Sequence, residues 1–299
     1  MTATIRVAAA PISWGVCEVP GWGRVLDAAT VLGEMAELGV QATELGPPGY
    51  LPRDPAELRE LLGHHGLTLV GGFLAVVLHE NQEHALAEAE ESAALFAACG
   101  GDVLVLAAAT GLDGYDDRPR LTDAEWATLV DTAGKIRDLA AAHGLRTVLH
   151  PHVGTHVEQQ AEVERFLADS DLGLCLDTGH LMIGGTDPVE LAKRYPERVG
   201  HVHLKDVRED LAAEVRSGRL AYTDAVGRGM YTPLGEGDVD VASMVRSVQA
   251  AGYDGWYVLE QDTALGEGSP DDLPRRDTGR SLAHLAKITD SLQPLVPKE

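Results

Sequence analysis

Three segments decide how this chain folds: TVLHPHVGTHVE at residues 147–158, LGLCLDTGHL at 172–181 and VGHVHLKDV at 199–207. Each opens on a short apolar run and hands over to a side chain able to bind a metal. The first leads to His150 and His152, the second to Asp177 and His180, the third to His203 and Asp206. Half of the chain's twelve histidines lie here, His156 and His201 being the other two. Farther on, WYVL at 256–259 ends in Glu260. Buried strands that repeatedly end in His, Asp or Glu predict strand ends converging on one site. Neutral imidazole and carboxylate are the ligands that hold a divalent first-row cation and leave positions open for substrate.

Working outward, eight apolar runs can be read, at residues 5–10, 41–44, 68–73, 102–107, 146–150, 173–177, 199–203 and 255–260. Helical periodicity follows each of them. The predicted helices span residues 25–38, 55–64, 82–98, 122–143, 157–168, 187–195, 241–251 and 281–292. Asp54-Pro55 places an N-cap and a proline at the first helical position. Thr122 and Glu125 have the spacing of a capping box. Eight strand–helix units over residues 1–299 predict one α/β domain, a (β/α)₈ TIM barrel. A doubly wound sheet would want G-x-G-x-x-G after an early strand, and PISWGV is not that turn. The longest irregular connection, 206–238, carries one short predicted helix at 211–217, and such a length marks a lid or pocket wall.

Composition narrows the partners. A hydrophobic content of 44% in 299 residues supplies a sizeable core. No apolar run approaches the roughly 18 residues of a membrane span, and MTATIRVAAAPISWG reads without a cleavable signal. Cys17, Cys99 and Cys175 are scattered and make no disulfide framework, so a reducing cytoplasm is the expected compartment. Acids outnumber bases by 47 to 24, a net charge of −23, with no Lys/Arg cluster. That balance opposes a nucleic-acid partner. A small-molecule substrate is expected, with a homo-oligomer left open.

Each site candidate has a plainer reading beside it. His150 and His203 end strands and are ligand candidates. His201, one layer deeper than His203 on the same face, is either a ligand or a packed core histidine. Asp177 is either a ligand or the cap of the turn after it. Glu260 is a ligand at the barrel mouth or a surface acid. His152 is expected to meet substrate, and His180 to meet substrate or orient a neighbour. Lys205 holds a substrate oxygen, acts as a base whose pKa a nearby cation lowers, or forms a solvated charge pair. Glu44 is expected to bind substrate hydroxyls. Trp14 offers a flat wall at the mouth, or simply core packing.

Taken together, APISWG at 10–15, LHPHVGT at 149–155, LCLDTGHL at 174–181, HVHLKDVR at 201–208 and LEQD at 259–262 carry a resemblance over essentially the whole chain. The chain resembles the xylose isomerase-like TIM barrels, the sugar phosphate isomerase/epimerase superfamily, and within it the inosose (2-keto-myo-inositol) dehydratases. That resemblance implies one divalent metal, Mn²⁺ or Co²⁺ first and Zn²⁺, Fe²⁺ or Mg²⁺ as others, held by His150, Asp177, His203 and Glu260. His150 stands where the superfamily usually has Glu, which weakens a two-glutamate epimerisation. The stretch MYTPLGEG at 230–237 lacks the extra His and Asp ligands of the superfamily's trinuclear zinc endonuclease. The implied activity is dehydration of a cyclic polyol ketone through an enediolate, with ketose isomerisation or epimerisation as the alternative. Glu260 is the first expected base, with Lys205 or His152 in its place.

Overall fold

The computed structural model describes residues 5–292. In chain order the elements begin β1 (Arg6–Ala9), α1 (Ala28–Glu37), β2 (Ala42–Glu44), α2 (Pro55–His64), β3 (Thr68–Val76), α3 (Gln82–Ala98), β4 (Val103–Ala108) and α4 (Asp123–Ala142). They continue as β5 (Arg146–Leu149), α5 (Gln160–Asp169), β6 (Gly173–Asp177), α6 (Thr178–Ile183), α7 (Pro188–Arg194), β7 (Val199–Leu204) and β8 (Asp206–Val207). The chain then forms α8 (Glu209–Arg216), α9 (Tyr222–Gly227), β9 (Tyr231–Thr232), α10 (Val241–Ala250), β10 (Trp256–Leu259) and α11 (Leu273–Leu292). Strands β1 to β7 pair in sequence and β10 closes the ring between β7 and β1, every pairing parallel. This is the expected barrel.

Alternate side chains of a strand face opposite ways, and that alternation builds two core layers. Val105, Val148, Cys175 and Val258 fill the barrel, while their neighbours Leu104, Leu149, Leu176 and Leu259 pack outward on the helices. The same parity, carried one step past the apolar residues, turns His150, Asp177, His203 and Glu260 inward at the C-terminal ends of β5, β6, β7 and β10. A register shift between Thr43 and Glu44 interrupts the β2–β3 ladder opposite Gly71. Gly71 has φ +152°, and a Cβ there would strike the carbonyl of Val103 on β4, so only glycine lets β3 close on β4 at that point.

Several boundaries differ from the sequence reading. β3 runs on to Val76, three residues past the predicted end. α5 starts at Gln160 rather than 157, because Gln159 and Glu162 form a capping box at that turn. α11 begins at Leu273 instead of 281; its first turns, LPRRDTGR, carry no apolar periodicity to read. The 206–238 connection is more ordered than expected. It contains α8, α9 and an antiparallel pairing of β8 with β9. Asp206 organises it: its carboxylate accepts the backbone N–H groups of Gly235 at 2.7 Å, Gly237 at 3.0 Å and Val239 at 3.1 Å. Asp206 is therefore a loop clamp and not a ligand. Among the described residues no helix is long and apolar enough to cross a membrane.

Candidate metal centre

His150, Asp177, His203 and Glu260 each offer one ligand atom within 4.8 Å of the others, all from buried or nearly buried side chains. Oε2 of Glu260 lies 2.9 Å from Nδ1 of His203. Oδ2 of Asp177 lies 3.5 Å from Nε2 of His150 and 3.6 Å from Nδ1 of His203. The neighbours of the two rings set which nitrogens face this centre. Nδ1–H of His150 donates to the Pro151 carbonyl at 2.7 Å, leaving the Nε2 lone pair inward. Nε2–H of His203 donates to Oε1 of Glu44 at 3.0 Å, leaving Nδ1 inward. Imidazoles fixed this way through their far nitrogen are poised as neutral ligands.

Asp177 fills the capping role that its sequence allowed and leaves its second oxygen open to the ligand role. Oδ1 caps α6 by accepting the N–H of Gly179 at 2.9 Å and of His180 at 2.8 Å. Oδ2 is buried and has no hydrogen-bond partner among the described residues, and the same is true of His203 Nδ1. Orphaned acceptors of this kind are costly unless a cation satisfies them. Charge says the same. Asp177, Glu260 and Asp262 are packed around one lysine, Lys205, and Glu44 lies beside His203. Burial opposes ionisation of these acids, yet His203 and His201 hold Glu44 down to about 2, and Lys205 with His180 holds Asp177 well below its usual range. Burial would also lower His203, but its neighbours Cys175, Glu260 and Glu44 raise it well above the ordinary imidazole value. A divalent cation answers the same surplus of negative charge. The donor set of two imidazoles and two carboxylates fits one.

A cavity of about 420 Å³ opens above the centre, lined by His150, His152, His203, Lys205, Glu260 and Asp262, with Trp22, Phe73 and Tyr115 on its walls. Nδ1–H of His152 donates to the Val153 carbonyl at 2.7 Å, so its Nε2 is a free acceptor. Burial first, then the neighbouring His150 and Lys205, pull His152 down to about 3. It is neutral at ordinary pH.

The surroundings of five expected residues bear on their roles. Trp14 is fully buried and bonds Glu34 at 2.7 Å, so it is core packing and no wall of the cavity. Glu44 lines the cavity and gives one oxygen, Oε1, to His201 at 2.9 Å and His203 at 3.0 Å, so it orients these rings whatever its other oxygen meets. His180 lies behind His152, ring centroids 3.8 Å apart, and accepts the Val153 N–H at 3.3 Å. It supports His152 and is not a substrate contact. Lys205 forms a buried ion pair and not a solvated one: burial lowers it, but Asp262, Glu260 and Asp177 prevail and hold it well above the lysine range. Glu260 is committed elsewhere: its Oε2 lies 2.9 Å from both His203 Nδ1 and Lys205 Nζ, and these neighbours outweigh burial and hold it far below a normal glutamate.

Other residues of the cavity escaped the sequence reading. Asp262 grips Lys205 Nζ and accepts from the Tyr222 hydroxyl at 2.7 Å. Its signal was present in LEQD, since residues 260 and 262 alternate onto one face. Trp22, Phe73, Tyr115 and Tyr222 carried no readable signal, because they come from loops, a strand end and a short helix brought together only by closure.

The fold and this ring of strand-end ligands define a class. The model of the family described as "Xylose isomerase-like TIM barrel" matches residues 32–288, and the chain belongs to that family. Among named relatives, it is similar to an inosose dehydratase of Geobacillus kaustophilus, at 36% identity over 87% of this chain and 89% of the relative. It is also 35% identical to the rhizopine catabolism protein MocC of Rhizobium meliloti, over 89% of this chain and 84% of that protein. Among solved structures, the IolI protein with a bound zinc atom superposes with a TM-score of 0.71 at 13% identity, covering 97% of this chain and 100% of that one. An L-ribulose 3-epimerase gives 0.67 at 15% identity, covering 96% and 95%. These two likenesses show the fold.

Proposed function

We propose that this protein is a metal-dependent hydro-lyase that removes water from a cyclic polyol ketone, converting 2-keto-myo-inositol to a trihydroxycyclohexane-1,2-dione. The observation that carries the reading is the pairing of two features. Four candidate ligand atoms cluster within 4.8 Å of one another, and three of their residues, His150, His203 and Glu260, line one small cavity with the neutral imidazole of His152, in a chain 36% identical to an inosose dehydratase. His150, Asp177, His203 and Glu260 would hold the cation, with Mn²⁺ or Co²⁺ preferred for this mixed nitrogen and oxygen set. When bound, it supplies Lewis acidity that makes the carbon beside the ketone more acidic.

The chain's own residues do the rest. Nε2 of His152 takes the proton from that carbon. The resulting imidazolium gives the same proton to the departing β-hydroxyl, so the C–O bond breaks, a carbon–carbon double bond forms and water leaves. His152 ends neutral, and the enol product ketonises to the dione. Lys205, kept cationic by Glu260 at 2.9 Å and by Asp262, stabilises the oxygen charge that develops between the two steps. Phe73 and Tyr115 flank His152 and keep bulk water from its Nε2.

The test is a proton NMR time course in D₂O with 2-keto-myo-inositol and Mn²⁺, beside an EDTA control. A dione formed only with metal supports the reading. Solvent deuterium entering ketohexoses, with inosose untouched, would replace it with the isomerase or epimerase alternative.

A further inference from the structure

Cys175 precedes Asp177 by two residues on β6, so its side chain points the same way, one layer deeper in the barrel. It is fully buried among Val105, Val148 and Val258. Packing alone explains a small apolar residue at that place. It does not explain why the thiol, His150 and His203 each present a ligand atom within 4.8 Å of the other two. The same two imidazoles thus belong to two ligand groups, one completed above by Asp177 and Glu260, the other completed below by Cys175. His203, only 1% exposed, has its Nδ1 without a hydrogen-bond partner among the described residues.

We infer that the barrel holds a second, deeper seat for a thiophilic cation, built by Cys175, His150 and His203. The inference rests on reading these two histidines as metal ligands. Two imidazoles and a sulfur suit Zn²⁺, Cd²⁺ or Cu⁺, whereas the carboxylates above suit harder cations such as Mn²⁺ and Mg²⁺. On binding, the thiol gives up its proton to solvent and a sulfur–metal bond forms. The seats share their imidazoles, so only one is filled at a time. A thiophilic cation in the lower seat withdraws both rings from the upper one and lies deeper than the cavity where substrate sits. The barrel layer that selects the metal is therefore set by the sulfur of Cys175.

The test uses the full chain stripped with a chelator and titrated separately with Cd²⁺ and Mn²⁺. Cadmium is followed by thiolate-to-metal charge-transfer absorption in the ultraviolet and by competition with a chelating dye. Manganese is followed by loss of its free-ion EPR signal. The expected result is a band at one equivalent of Cd²⁺ that is absent in Cys175→Ser. That variant binds Cd²⁺ about tenfold or more weaker while its Mn²⁺ affinity stays within about twofold. The Cys17→Ser/Cys99→Ser double variant keeps the band, which decides the matter even if Cys175→Ser does not fold. Cadmium uptake without a band, or a band lost in the double variant, overturns the inference and leaves the upper seat standing. Binding of neither ion removes the metal reading of the site and this inference with it.

Discussion

Nε2 of His203 donates to Oε1 of Glu44 at 3.0 Å, across the barrel from β7 to β2. This bond chooses which nitrogen of His203 faces the metal centre. On the proposed metal reading, a residue outside the four-ligand set would therefore govern the affinity of the site. Glu44→Gln keeps the shape but weakens the charged acceptor, and metal affinity is expected to fall about 10–100-fold. Metal content after equilibrium dialysis measures it; undiminished retention would show that Glu44 has no part in orienting the ring.

Asp177 divides its two oxygens between fold and site. Asp177→Asn keeps an acceptor for the N–H groups of Gly179 and His180 but removes the carboxylate from the centre. Asp177→Ala removes both. Both variants should lose metal, and in metal-free buffer Asp177→Ala should be about 1 kcal/mol less stable than Asp177→Asn, the worth of an N-cap. Urea unfolding of the two side by side gives the number, and equal midpoints would deny the cap.

His152 lies outside the ligand set, so its loss should separate chemistry from metal binding. His152→Gln is expected to keep its full metal content while kcat falls by about 10²–10⁴. If turnover survives at more than a tenth of the parent rate, the proton is moved by another group.

A pH effect on stability is expected away from the centre. His156 is buried against His79, ring centroids 4.5 Å apart, and its Nε2 finds no partner among the described residues. Burial first, then His79 and Arg118, lower it from 6.5 to about 4. Between those values the unfolded chain takes up a proton that the folded chain does not. Its contribution is complete above the unfolded value and is lost as pH falls toward the folded one. The urea midpoint should drop between about pH 7 and pH 4.5, and His156→Gln should flatten that dependence. Parallel slopes for the two proteins would assign the effect elsewhere.

The sequence by itself determined the barrel and the inward ring of His150, Asp177, His203 and Glu260. Both follow from local rules: apolar runs separated by helical periods, and a strand parity that carries each ligand to the face of the inward apolar residue two positions before it. Even the two competing readings of Asp177 were visible, and the structure gives the cap to one oxygen and leaves the other unpartnered toward the centre. What only the tertiary structure decided is which groups meet. Glu44 finds His201 across 157 residues of chain, and that meeting gives an expected substrate contact a histidine to orient. Trp14 and Trp22 follow the same strand, yet closure of the barrel buries the first beside Glu34 and places the second at the cavity. The charge state of Lys205 was equally beyond reach, because a lysine's pKa is the sum of its neighbours. Here those neighbours are Asp177, Glu260 and Asp262 from two other strand ends. Parity is a property of one strand; partnership is a property of the closed ring.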